Sequence, residues 1–289
     1  MKRHIAVLAC AATAALGVPA IATTAHAQTA RAKDPLAALR SQMGGGRGVS
    51  FVDKTKVTSP QGSRVLAQRD GVLGFGASGI AASDQTGKMR IKLSDLGIDP
   101  DDEDTKGIAG FAKPERVVRV GKASYISGGY FGEFLPEGKT WLRYPAETLG
   151  MLGVITQKVN AAEPATLKAL LAHATTERPG FYSGKITYGE LNKISPWFRA
   201  SVSGARITGR YAKIKVSWKL FLGSDRLPQR LVTSEASTAD DGRSTMETDT
   251  RYTGWGAEVS VKAPAPEDVA TAKDLQDGAT AEVPTPIGR

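Results

Sequence analysis

Apolar and polar residues alternate along much of this chain. Lys88-Met89-Arg90-Ile91-Lys92-Leu93 puts a base at every second position and an apolar side chain between, the period of a strand with one wet face. Lys213-Ile214-Lys215-Val216-Ser217-Trp218-Lys219-Leu220-Phe221-Leu222 repeats that period over a longer span. Shorter alternating or β-branched runs at residues 48–57, 64–68, 116–120, 123–127, 181–188, 229–234, 244–252 and 257–261 bring the expectation to eight to eleven strands. Asp70-Gly71, Gly128-Gly129, Glu137-Gly138, Gly223-Ser224-Asp225 and Asp241-Gly242 read as turns between them, favouring antiparallel neighbours over helical crossovers.

Helical spacing is scarcer. Asp34 is placed as an N-cap, with Pro35 at the first helical position, Leu36, Leu39 and Met43 on one face and Gly44 as the stop. Residues 164–175 align Leu167, Leu170, Leu171 and Ala174 in one stripe that something must cover. A weaker pattern holds Leu149 and Leu152, and residues 191–203 around Pro196-Trp197-Phe198 read as a loop or a short helix. At the start, Lys2 and Arg3 precede an apolar run, and Ala25-His26-Ala27 has the small-residue form of a cleavage site, so residues 1–27 are expected to be a secretory signal peptide. Val7-Leu8-Ala9-Cys10 resembles a lipobox only loosely. Lipid anchoring at Cys10 is not expected, because the apolar stretch before it falls short of the ~7 to 15 residues such a region needs. Residues 28–33 are then a flexible N-terminus, 34–263 a single domain, and 264–289, opening on Pro264-Ala265-Pro266, a flexible Pro/Ala-rich tail.

Composition narrows the chemistry. Cleavage after Ala27 removes Cys10, the sole cysteine, together with His4 and His26, leaving His173 as the one histidine. Disulfides, thiol nucleophiles and cysteine-ligated metals are excluded, and one histidine beside carboxylates is a poor zinc site. His173 lies at the flank of a leucine-striped helix, a boundary position, and no serine sits in a G-x-S-x-G elbow. Gly74-Phe75-Gly76-Ala77-Ser78-Gly79 matches the dinucleotide fingerprint, but residues 80–88 hold Ser, Asp, Thr and Gly where the helix receiving the pyrophosphate should begin, so the match reads as a glycine-rich strand or bulge. The acidic run Asp99-Pro100-Asp101-Asp102-Glu103-Asp104 lacks the central glycine and distal glutamate of a calcium loop. The formal charge of the whole chain is +9, yet beyond the signal peptide no two bases are adjacent, a poor pattern for nucleic acid. Lys213, Lys215 and Lys219 instead mark a basic strand face, suited to anionic headgroups, envelope polymers or an envelope protein.

The C-terminal strands carry a family resemblance. Val216-Ser217-Trp218-Lys219-Leu220, Asp225-Arg226-Leu227-Pro228-Gln229-Arg230-Leu231 and Thr250-Arg251-Tyr252-Thr253-Gly254-Trp255-Gly256-Ala257-Glu258-Val259-Ser260-Val261-Lys262-Ala263-Pro264 resemble the closing strands of the LppX/LprG family. That family comprises cell-envelope lipid-binding lipoproteins related in fold to the carriers LolA and LolB. The short helix followed by Gly48-Val49-Ser50-Phe51, and Ala123-Ser124-Tyr125-Ile126 leading to Gly138-Lys139-Thr140-Trp141, are similar to its opening. The resemblance implies an α+β fold: a strongly curved antiparallel half-barrel, its concave face covered by a few short helices, with an apolar cavity for acyl chains. Leu167, Leu170 and Leu171 on the helix and Trp218, Leu220 and Leu222 on their strand are the expected lining, and the same six residues suit an ordinary core. No catalytic residue, cofactor or metal is expected. The expected role is a secreted, monomeric carrier or sensor of a lipid or lipidated molecule, with the outer membrane face or an envelope protein as a further partner. The alternative is a cell-envelope interaction or regulatory module with a packed interior, and a carboxylate hydrolase is the third reading. Family members are anchored through an acylated cysteine; this chain would be a diffusible form.

Overall fold

A computed structural model describes residues 34–91, 106–237 and 244–275. The expected signal peptide, the flexible N-terminus, the acidic run and the last part of the tail lie outside the described residues.

The Asp34 carboxylate accepts the backbone N–H groups of Leu36 (3.0 Å) and Ala37 (3.2 Å), so α1 (Pro35–Arg40) starts where its cap predicts. Three long strands come next, β1 (Arg47–Ser59), β2 (Gly62–Phe75) and β3 (Ile80–Met89). After α2 (Lys106–Gly110) come β4 (Glu115–Val120), β5 (Ala123–Gly128), α3 (Gly129–Gly132) and β6 (Trp141–Tyr144). A 3-10 turn at Met151–Val154 precedes α4 (Pro164–Ala172), β7 (Ala174–Arg178) and β8 (Phe181–Thr187). Three short helices, α5 (Tyr188–Ile194), α6 (Pro196–Ser201) and α7 (Gly209–Ala212), lead into β9 (Lys215–Leu222), β10 (Pro228–Ser237), β11 (Ser244–Glu258) and β12 (Val269–Thr271).

All 12 strands of the described residues form one sheet in the order β12-β6-β5-β4-β3-β2-β1-β11-β10-β9-β8-β7. Each pairing is antiparallel except that of β12 with β6, and β7 and β12 are left as unjoined edges, so the sheet is open. Inward side chains from β2 round to β8, including Leu73, Phe51, Tyr252, Leu231, Leu220 and Ile186, share one core with α1, α4, α5 and α6. Six neighbouring strands can enclose one set of helices only by curling around them, and that curl makes the sheet a half-barrel. A smaller cluster of Val117, Ile126, Phe131, Leu142, Tyr144 and Met151 fills the space between β4, β5, β6 and α3.

Several elements differ from the sequence expectation for local reasons. Asp70-Gly71 is not a turn but the middle of β2: a Cβ at Gly71 would lie 2.3 Å from the carbonyl oxygen of Asp84, so the glycine lets β3 approach. Of the alternation at residues 88–93, Lys88 and Met89 end β3, which occupies the Ser-, Thr- and Gly-rich stretch before them, and residues 92–93 lie outside the described residues. Gly76 donates to the carbonyl of Gly79 at 2.7 Å, making the G-x-G-x-x-G run the turn from β2 to β3. The leucine-striped helix stops at Ala172, with His173 as its C-cap, and β7 takes over at Ala174. Residues 191–203 hold the end of α5 and all of α6: Ser195 caps α6 by accepting Phe198 N–H, and Pro196 sets its first turn. Residues 264–275, expected in the tail, include β12, where Ala270 is buried against the sheet edge.

Candidate functional site

The concave face is crossed by a stretch of mostly irregular chain. Residues 148–163 run across it between β6 and α4, and all except Ile155 are buried. Irregular chain is normally kept at the surface because its backbone N–H and C=O groups need partners. Here the sheet's own side chains supply many of them.

Ser124 of β5 accepts Thr148 N–H at 3.0 Å, and Gln85 of β3 donates to the carbonyl of Leu149 at 3.3 Å. The Glu115 carboxylate of β4 accepts Met151 N–H (3.1 Å) and Leu152 N–H (3.3 Å). Gly150 permits that approach, since a Cβ there would fall 2.3 Å from the Glu115 carboxylate. Arg69 of β2 pairs with Asp53 of β1 at 2.6 Å, both side chains almost wholly buried, and also donates to the carbonyl of Gln157 at 3.4 Å. Its guanidinium lies between the rings of Phe51 and Trp197, 5.4 Å from each centroid. Trp197 Nε1 donates to the same Gln157 carbonyl at 2.9 Å.

The Gln157 side chain spans β10 and β11, accepting from Thr233 and donating to Thr250, both at 2.9 Å. Tyr252 OH accepts Ala161 N–H and donates to Asn160 Oδ1. Lys158 and Tyr188 converge on the carboxylate of Glu235. At the far end Glu163 accepts from Trp197 N–H, Thr166 Oγ1 and Ser195 Oγ, joining the segment to α4 and α6. Burial raises the Glu163 carboxyl above its ordinary range against these bonds, and raises Glu115 to about 7. Arg69 Nη1 and Gln85 Oε1 are buried at this seam with no hydrogen-bond partner among the described residues.

The six residues expected to line a cavity share one core cluster. Trp218, Leu220 and Leu222 alternate along the concave face of β9, Leu167 and Leu170 of α4 are buried in the same cluster, and Leu171 is partly buried against it. Leu149, Val159, Ala161 and Ala162 of the crossing segment belong to that cluster too. The space enclosed by residues 156–159 and strands β9 to β11 is only about 10 Å³, the size of one water. Of the basic face, Lys215 and Lys219 point outward from β9, but Lys213 ends α7 and precedes the strand. His173 is half exposed, with Nε2 3.4 Å from Glu190. Among the described residues no group of three or more His, Cys, Asp or Glu is placed to hold a metal ion.

Arg69, Gln85, Glu115 and Gln157 had no place among the sequence candidates. A signal existed for the first three: each occupies an inward position of its strand, in phase with Leu73, Ser83 and Val117, where an apolar residue is the norm.

No family model and no curated protein matches the sequence. Solved structures similar to it include a LolA superfamily protein from Nitrosomonas europaea, at 9% identity over 78% of this chain and 93% of that one, with a TM-score of 0.30. A DUF1329 family protein from Desulfovibrio piger is 8% identical over 79% of this chain and 93% of its own, with a TM-score of 0.29. A putative outer membrane lipoprotein-sorting protein domain from Vibrio parahaemolyticus is 8% identical over 75% and 90% of the two chains, with a TM-score of 0.24.

Proposed function

We propose that this chain is a secreted, non-enzymatic carrier or sensor that takes the acyl chain of a lipid or lipidated protein onto the concave face of its sheet, displacing residues 148–163. One observation carries the reading: a concave face that combines the apolar core of Leu73, Phe51, Leu231 and Leu220 with a band of polar side chains is covered by irregular chain held through polar contacts from that band. Such a seam is expensive when closed, since a buried polar atom without a partner costs ~1–3 kcal/mol, and opening returns these groups to water. The exposed apolar wall would then be reburied by the ligand, at ~0.8 kcal/mol per methylene before ordering costs. The LppX/LprG resemblance of β9 to β11 points the same way. The test is hydrogen exchange in residues 148–163 with and without a soluble fatty acid. Faster exchange there on binding supports displacement; bound ligand with unchanged exchange in this segment sinks it.

The near absence of free volume behind Val216 and Thr233 favours a second reading, an envelope interaction module whose interior stays packed. No uptake of fatty acid at any concentration would leave that reading standing.

A further inference from the structure

The outer face of the sheet carries a separate depression of about 630 Å³, within the ~300–1,000 Å³ typical of small-molecule sites. Small residues, Ser183, Gly184, Ser217 and Ser234, leave the space, and Trp218 and Val232 add apolar surface beside the serine hydroxyl groups. In one cross-strand row Lys185 of β8 stands opposite Ser217 of β9, Ser217 opposite Ser234 of β10, and Ser234 opposite Glu247 of β11. In the next row Ser183 stands opposite Lys219. Lys185 and Lys219 are thus diagonal neighbours, ~7–8 Å apart at the backbone, close enough for both ammonium groups to reach one anion. Neither makes an ion pair among the described residues: Asp249, the next outward acid of β11, is held by Arg230 at 2.7 Å, and His173 at the rim lies against Glu190. Among the described residues Glu247 is the one acid in the lining.

We propose that this depression binds a phosphate ester of a sugar or polyol. The phosphate sits between Lys185 and Lys219, and the ligand hydroxyls meet Ser217, Ser234 and Glu247. Charge complementarity selects an anion, and a floor of hydroxyl groups that both donate and accept selects a hydroxylated one over a bare ion. The site lies on the opposite face of the sheet from the proposed acyl site and does not depend on it.

The probe is glucose 6-phosphate, followed by amide NMR shifts of the secreted form. Expected are saturable shifts at Ser217 and Ser234, with inorganic phosphate and glucose each binding at least ~10-fold more weakly, and a ~10-fold loss in each of Lys185→Ala and Lys219→Ala. Lys219→Arg retains binding, and unchanged melting temperatures show that the variants fold. Three results overturn the proposal: equal affinity for inorganic phosphate, binding insensitive to both alanine variants, or binding only to phosphatidylglycerol vesicles, which would make the face a membrane contact.

Discussion

Glu115→Gln separates two roles of one carboxyl group. The side chain accepts Met151 N–H at one carboxylate oxygen and Leu152 N–H at the other, and glutamine keeps the shape but only one of the two acceptors. The substitution removes the proton equilibrium and one acceptor, and the cost of the lost acceptor, common to both pH values, drops out of the comparison. Burial raises this carboxyl from its ordinary 4.5 to about 7 in the folded protein, with the backbone bonds of Met151 and Leu152 and the field of Arg69 opposing. A folded-state value above the unfolded one means that the folded protein holds the proton more tightly. The stabilisation is therefore full below about pH 4.5 and is lost as pH rises through about 7. At ~1.36 kcal/mol per pH unit the loss comes to about 3 kcal/mol. Urea denaturation of wild type and variant at about pH 4 and about pH 8 checks this. The variant should gain about 3 kcal/mol on the wild type between the two conditions, while Asp53 and Glu163, present in both proteins, cancel in the comparison. A wild-type-minus-variant difference that stays constant within about 0.5 kcal/mol would refute the burial assigned to Glu115.

The Asp53–Arg69 pair gives two further expectations, both read from chemical denaturation. Asp53→Ala strands a guanidinium whose side chain is 1% exposed and should destabilise the fold by ~3–5 kcal/mol; a loss under ~1 kcal/mol would mean that Arg69 reaches water. The double variant Asp53→Leu/Arg69→Met, which removes both charges, should recover most of that loss, and a double variant as unstable as the single one would contradict desolvation as its cause.

The sheet was readable because alternation encodes it directly. Lys215 to Leu222 puts Val216, Trp218, Leu220 and Leu222 on the concave face and the lysines outside, as the two-residue period requires. The cap at Asp34 and the leucines of α4 were readable for the same reason: local geometry decides them. Asp70-Gly71 misled because Asp-Gly is a turn by propensity, whereas here the glycine answers the close approach of β3 beside it. β7 was hidden because Ala174 continues the leucine stripe of α4 by spacing alone. Of residues 148–163 only the weak helical pattern at Leu149 and Leu152 was readable, and it became the 3-10 turn at Met151–Val154. The partners of their backbone, from Arg69 to Tyr252, come from strands β5 round to β11, and no local pattern announces that irregular chain will be buried. The outer depression was missed because it needs four strands in register, and a single strand displays only evenly spaced bases.

Native mass spectrometry of the protein purified from its own host without detergent bears most directly on whether the concave face takes an acyl chain. Expected is a discrete mass surplus, released by organic solvent and identified as a lipid. A bare polypeptide mass, with no uptake of added fatty acid, would contradict the carrier reading and leave a protein whose crossing segment is a permanent part of its core.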